Sequence, residues 1–374
     1  MNIGIDARFV GPEGTGLGKY TEKLITNLAL LDDKNKYYIF LRKQNWDFLH
    51  LEKFTNFEKV LADTPWYTLQ EQIKLPKIYQ NCNLDLLHVP HFNAPIFYKG
   101  KMIVTIHDLI HHNFKEQTTT TKNPLFFNIK RLGYKAVIFL AVHKSSKIIV
   151  PSNFVKKEVT KTFKISSTKV VVTYEAAEEE YFQMSNVKSQ ISNVVEKFSI
   201  KEPFLIYVGN AYPHKNLNTL LDAVFLLSNI NLTIVCPRDV FSRKLEAEVE
   251  KRQLQGRVTI LPYQPPEILT QLFKSAKAYV FPSLSEGFGI PGLNAMAAGL
   301  PVIASNIGTL EEIYGEAALY FDPKNPYDLV DKIKQIFTYP KLRSRLIEKG
   351  FEQIKKYSWR KMAQQTLSIY QNLK

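Results

Sequence analysis

Residues 283–305 read SLSEGFGIPGLNAMAAGLPVIAS, and the reading of this stretch decides the fold. An apolar run just before it, Ala278-Tyr279-Val280-Phe281, reads as a strand buried in a parallel sheet. A carboxylate follows at Glu286, and then Gly287 and Gly289 let the backbone come close to a ligand. Pro291 suits the opening of a helix that runs through Ala295-Met296-Ala297-Ala298, and Gly299 suits its end. The first N–H groups of such a helix have no partner inside it. Helped by the positive end of the helix dipole, they form a small anion site. An acid beside an amide-lined phosphate cradle suits a ligand that carries both sugar hydroxyls and phosphate, and a nucleotide-sugar is such a ligand.

Outward from this stretch, strand-like and helix-like segments alternate along the whole chain, which predicts α/β architecture with parallel sheets. In the first half the strands are expected at Asn2–Asp6, Tyr37–Leu41, Leu84–Val89, Met102–His107, Lys147–Val150 and Val170–Val172, with helices beginning near Gly18, Tyr67, Pro124 and Asn153. In the second half they are expected at Phe204–Val208, Leu232–Val235, Val258–Leu261, Ala278–Phe281, Pro301–Ala304 and Leu319–Phe321. The stretch from Ala177 to Glu202 is polar and carries no strand pattern, so the seam between the halves belongs there. A last helix is expected from Trp359 to Asn372.

A length of 374 residues suits two domains, and 45% hydrophobic with 12% aromatic content excludes a disordered or fibrous chain. Cys82 and Cys236 stand far apart without metal-ligand spacing, which favours a reducing cytoplasm, with Cys236 a buried thiol. Met1 leads straight into a strand pattern with no signal peptide, and the longest apolar run, Ala136 to Val142, is too short to span a bilayer. The net charge of +14 fits an anionic membrane surface, or lysines scattered over a solvated surface. Nucleic acid is not expected as a partner, since no aromatic-basic recognition motif or zinc finger accompanies the charge.

Other segments carry chemistry less specifically. Gly11-Pro12-Glu13-Gly14-Thr15-Gly16-Leu17-Gly18 leads into a helix, which is a general phosphate-binding device or else a surface turn. Its GxGxG spacing is not the dinucleotide fingerprint, and Lys19 is followed by Tyr20, so it is not a P-loop. His107 falls at the carboxyl end of a strand; alone, a histidine there is more often structural than functional. His111 and His112 are adjacent and point in divergent directions, with no carboxylate at ligand spacing, so no metal is expected. Lys215 follows a strand and a glycine turn, which sets it apart from a surface lysine. Trp66, Tyr67 and the helical run to Ile78 read as a membrane- or acceptor-facing surface, or as domain packing.

SEGFGIPGLNAMAAGLPVIAS resembles the donor-site signature of glycosyltransferase family 4, a family of retaining GT-B sugar transferases. TIHDL at 105–109 is similar to the family's TxHD motif, and YVGNAYPHKN at 207–216 to its basic loop, so the resemblance covers nearly the whole chain. It implies two facing Rossmann-like domains with a cleft between them: residues 1–180 on the acceptor side, 200–357 on the donor side, and 358–374 crossing back to the first. It also implies roles. Glu286 contacts sugar hydroxyls while the backbone of Phe288, Gly289 and Ile290 serves sugar and phosphate. His107 contacts the transferred sugar, with Asp108 orienting its loop or its ring, and Lys215 neutralises the leaving diphosphate. Gly16 and Gly18 reach the donor phosphates and the acceptor. Thr309 and Glu312 lie beside the nucleotide, although Glu312 reads equally well as the start of a solvated helix.

The chain departs from the family pattern twice. Asn210 stands where an arginine is usual, and His214 offsets the lost charge if it is protonated. Asn294 stands eight positions after Glu286, where a second glutamate normally takes the ribose hydroxyls. An amide accepts through one oxygen without charge, so weaker donor binding by about 1–2 kcal/mol is expected.

The activity implied is retaining transfer of a hexose to a glycan or lipid-linked acceptor, by a front-face path in which the leaving diphosphate assists the acceptor hydroxyl. The closest likeness is to mannosyltransferases of surface-polysaccharide and lipopolysaccharide assembly. Mannose, carried as GDP-mannose, is therefore the favoured donor. No cofactor or metal is implied, and the setting is cytoplasmic with peripheral contact on the inner face of a membrane. The alternatives are an epimerase or hydrolase of nucleotide-sugars on the same fold, and a nucleotide-sugar-binding paralogue without turnover. Activity that arises only when glutamate is restored at Asn294 marks the paralogue. A dinucleotide oxidoreductase lacks its fingerprint.

Overall fold

The computed structural model describes residues 1–113, 124–185 and 192–373. The chain divides into two compact units, one made of Met1–Glu175 with Ser358–Lys374, the other of Ala176–Tyr357.

The first unit holds a seven-stranded sheet of β1 (Asn2–Asp6), β2 (Lys36–Leu41), β3 (Phe57–Leu61), β4 (Leu86–Val89), β5 (Met102–Thr105), β6 (Lys147–Val150) and β7 (Val170–Val172). Every pairing is parallel, and the order across the sheet is β3-β2-β1-β4-β5-β6-β7. The chain winds outward from β1 in one direction, then restarts at β4 and winds outward in the other. Its switch point therefore lies between β1 and β4, and ligands of such sheets bind beyond the strand ends there. Leu87, Val89, Val104, Ile106, Ile148 and Val150 fill one core with side chains from the helices.

The pattern of β3 hides it from the sequence. Only Phe57 of its five residues is fully buried, and Glu58 and Lys59 interrupt the apolar run. At the edge of a sheet, backbone pairing to β2 suffices to hold such a segment, and charge there discourages further pairing. Strand ends elsewhere differ by a residue or two: β5 stops at Thr105, which leaves His107 in the following loop, and β4 begins at Leu86.

The helix Trp359–Gln371 packs on the helix Thr15–Leu31 of the same unit. It is capped by Ser358, whose side chain accepts from the Lys361 N–H, and it buries Trp359, Met362, Thr366 and Tyr370. Tyr370 reaches the sheet, its hydroxyl 2.6 Å from Nδ1 of His88 on β4, while His88 Nε2 lies 2.8 Å from the Thr105 hydroxyl. Burial, aided by nearby His107, pushes the His88 imidazole down from 6.5 to about 3. The unfolded chain therefore binds a proton below pH 6.5 that the folded chain refuses, and stability held above that pH is lost as pH falls toward 3. Each pH unit in that window costs up to ~1.4 kcal/mol. In denaturant unfolding, His88→Asn should be the less stable protein at pH 7, with the gap to wild type closing as pH falls to 4. A gap independent of pH would show that His88 is not held neutral.

The second unit holds a six-stranded sheet of β8 (Phe204–Val208), β9 (Asn231–Val235), β10 (Val258–Leu261), β11 (Ala278–Phe281), β12 (Val302–Ser305) and β13 (Ala318–Phe321). All pairs are again parallel, in the order β10-β9-β8-β11-β12-β13, so the switch point falls between β8 and β11. The polar stretch expected between the halves contains two helices, Glu179–Ser185 and Ser192–Lys197, and belongs to this unit. Residues 186–191 of it lie outside the described residues. Cys236, at the end of β9, is buried, and burial pushes its thiol up to about 11. Among the described residues no helix is long and apolar enough to cross a membrane.

Candidate functional site

Two loops meet at the switch point of the second unit. The loop after β8 carries Lys215, and the loop after β11 carries Glu286; their side chains form an ion pair with Nζ to Oε1 at 2.6 Å. The two residues lie 71 positions apart in sequence and are adjacent because β8 and β11 pair. The loops are laced together around them. Asn216, in the left-handed conformation, donates through Nδ2 to the carbonyls of Pro282 and Pro323, and Leu284 donates its N–H to the His214 carbonyl. Lys215 also stands over the Phe281 ring at 5.7 Å. The two side chains are 16% and 10% exposed, so the pair is screened less than a surface ion pair.

The helix Ile290–Ala297 begins immediately after the Glu286 loop, with Gly289 as its N-cap and Pro291 in its first turn. Gly289 has φ +101°, and a Cβ there would meet the Tyr314 hydroxyl at 2.5 Å. That hydroxyl donates to the Gly289 carbonyl, which fixes the turn that aims the helix N-terminus. Thr309 is fully buried and its hydroxyl donates to the Glu286 carbonyl at 2.8 Å, so it acts on the site through the Glu286 backbone. The Phe288 ring points inward and packs edge-on to Tyr357 at 5.5 Å, while Ile290 is half-buried. Glu312 is half-buried on the helix Gly308–Tyr314; its charge adds to the burial that pushes the Tyr357 phenol up to about 12, against a Gln353 hydrogen bond.

The two departures from the family pattern have different surroundings. Asn210 is half-buried, and its carbonyl accepts from the Tyr207 hydroxyl at 2.7 Å. Asn294 is buried in the second turn of the helix and spends both ends of its amide on one residue, Glu178.

In the first unit the residues gather around His107. Its Nδ1 faces the Glu175 carboxylate at 2.9 Å and its Nε2 faces the Pro90 carbonyl at 3.2 Å. Both partners are acceptors of ring N–H groups. Tyr20 packs edge-on to the ring at 4.6 Å. Asp108 accepts from the Ile110 N–H and so shapes the loop, while Glu175 orients the imidazole. Glu175 was not legible as a partner, because 68 residues separate it from His107 in the chain. Trp66 stacks on Phe9 at 4.4 Å, while Tyr67 and Leu69 beside it are 56% and 83% exposed. That segment therefore both packs inward and presents an apolar face. His112 is half-buried, and the His111 side chain lies outside the described residues. Among the described residues no group of three His, Cys, Asp or Glu is arranged to hold a metal ion.

The two glycines of the N-terminal loop differ. A Cβ on Gly18 would meet the Phe9 carbonyl oxygen at 2.4 Å, whereas Gly16 faces open space. Gly18→Ala should therefore lower the melting temperature by several degrees, and Gly16→Ala should leave the unfolding free energy within about 0.5 kcal/mol of wild type. Equal melting temperatures for the two variants would contradict this packing.

Two doubly wound parallel sheets of seven and six strands make up the GT-B fold class. The family model described as Glycosyltransferase Family 4 matches residues 15–180, and the model described as Glycosyl transferases group 1 matches residues 190–353. With both halves matched, the chain belongs to the family 4 glycosyltransferases. It is 26% identical over 351 residues to the O-antigen chain mannosyltransferase RfbU of Salmonella typhimurium, covering 90% of this chain and 91% of that one. Sucrose-phosphate synthase from Thermosynechococcus elongatus shares the fold at a TM-score of 0.78 and 20% identity, over 100% of this chain and 99% of that one. HepE of Anabaena, in complex with UDP-glucose, does so at a TM-score of 0.75 and 16% identity over 100% of both chains.

Proposed function

We propose that this chain moves a hexose, mannose first among the candidates, from a nucleotide-sugar to a glycan or lipid-linked acceptor with retention of anomeric configuration. The observation that carries the reading is the Lys215–Glu286 pair at 2.6 Å, set at the switch point beside the amides of the helix Ile290–Ala297. A diphosphate bound at those amides places its growing negative charge next to Lys215. There a preorganised cation stabilises the transition state more than the ground state. Glu286 then accepts from the hydroxyls of the sugar. In the first unit, His107 is held by Glu175 at 2.9 Å. Lys215 and the helix amides supply the electrostatics without a divalent ion, so transfer is expected to persist in EDTA.

The O-antigen mannosyltransferase likeness supports mannose, and the UDP-glucose complex of HepE supports a nucleotide-sugar as donor. Charge supports an anionic acceptor or membrane surface in the cytoplasm. The first unit carries 28 Lys and Arg against 15 Asp and Glu, and the second 21 against 20. The test is a melting-temperature panel of GDP-, UDP-, ADP- and dTDP-sugars with NAD as control, followed by NMR of the anomeric configuration of any product. A ligand at ~100 times its Kd stabilises the native state by roughly 2.7 kcal/mol. A shift with GDP-mannose alone is the expected result. A shift with another sugar nucleotide reassigns the donor, no shift with any removes the reading, and an inverted product removes the retaining mechanism.

A further inference from the structure

The amide at Asn294 is bonded at both its oxygen and its nitrogen. Its Oδ1 accepts from the backbone N–H of Glu178 at 2.9 Å, and its Nδ2 donates to Glu178 Oε1 at 3.2 Å. Asn294 is only 6% exposed, whereas Glu178 is half-buried. Both ends of the residue 294 amide are thus engaged by Glu178, whose carboxylate stands beside it. This pairing needs an amide. A glutamate at 294 lacks the N–H that Glu178 Oε1 accepts, and it would set two carboxylates within hydrogen-bonding distance, where they cannot both stay ionised without cost. The asparagine that reads as a loss in the sequence is the residue that holds a carboxylate delivered from 116 positions away.

Asn294 lies four residues beyond Ile290, on the same face as the first turn and ~6 Å along the axis from it. With a diphosphate at the helix N-terminus, that distance suits the ribose of the same nucleotide. We propose that Glu178 is the ribose-binding carboxylate of this chain. Its position before the helix Glu179–Ser185 takes over what a glutamate at 294 does elsewhere, and Asn294 is its positioning residue. The assignment rests on the nucleotide-sugar reading above and adds to it the group that selects ribose.

The experiment is titration calorimetry of the full chain with GDP and 2′-deoxy-GDP, and with the UDP pair, on wild type, Glu178→Gln, Asn294→Glu and the double exchange. Wild type should bind the ribonucleotide at least ~10-fold more tightly than its deoxy analogue, as expected for one charge-assisted hydrogen bond. Glu178→Gln should lose about that factor for the ribonucleotide and little for the deoxy form, so discrimination disappears. Asn294→Glu should bind more weakly than wild type and melt lower. The double exchange, which sets a carboxylate at 294 beside an amide at 178, should recover most of both. Unchanged ribo/deoxy discrimination in Glu178→Gln would overturn the assignment, as would tighter binding or higher turnover in Asn294→Glu alone. If wild type binds no nucleotide at all, the donor reading itself fails and takes this assignment with it. Binding without ribose discrimination removes the Glu178 assignment alone.

Discussion

Replacing Lys215 by Met is expected to lower kcat/KM by about 10²–10³, the usual cost of removing one preorganised group from a developing anion. The mechanism is electrostatic. In the proposed reading Lys215 faces the charge that grows on the leaving diphosphate, and its position is fixed by Glu286 at 2.6 Å and by the Asn216 bonds that pin its loop. The same substitution leaves Glu286 mostly buried with no cation, so it should also destabilise the second unit, by about 1–3 kcal/mol. The two effects separate in the double variant Lys215→Met/Glu286→Gln. Without a buried charge to strand, it should regain most of the stability and none of the activity. Steady-state kinetics beside denaturant unfolding decide the matter. If the double variant recovers turnover as well, Lys215 serves the fold rather than the reaction.

The largest stability effect is expected in the first unit, at Arg8. Its guanidinium is fully buried and grips Asp6 with Nε and Nη2, both at 2.8 Å. Nη2 also reaches Glu71 at 2.6 Å, and Nη1 donates to the Thr64 carbonyl at 3.0 Å. Tyr79 donates to Asp6, and Asn93 and the Tyr67 N–H donate to Glu71. Burial holds the Glu71 carboxyl above the usual carboxylate range while Arg8 opposes that shift. Arg8→Met fills similar volume but strands two carboxylates, and it should cost about 3–5 kcal/mol. Adding Glu71→Gln should return part of the loss, and the deficit should shrink at acidic pH, where the stranded groups take up protons. A loss that neither neutralisation nor acid reduces would mean that packing, not charge, sets the cost. Because Glu71 also fixes the Tyr67 backbone, whose φ is +59°, the network holds this exposed aromatic in a conformation it would not adopt alone.

Local chemistry made much of this protein legible in the sequence. Alternating apolar runs and helical patterns announced two parallel α/β halves. A strand followed by Glu286, two glycines and Pro291 announced the start of a helix, and a lysine beyond a glycine turn announced a Lys215 set apart from surface lysines. Each of these signals sits within one strand–loop–helix unit, where steric and hydrogen-bonding rules act on neighbours in the chain. The sequence did not show β3, since an edge strand needs only one partner and few apolar residues. Nor did it show which charges would meet. Glu175 finds His107 across 68 residues, and Glu178 finds Asn294 across 116. In the sequence Glu178 looks like part of a polar linker, and Asn294 looks like a missing acid. A side chain's type declares what bonds it can make, but the order of strands in the sheet decides which partner it meets. Only the tertiary structure set Lys215 against Glu286 at the switch point, and only there did Asn294 gain a carboxylate to hold.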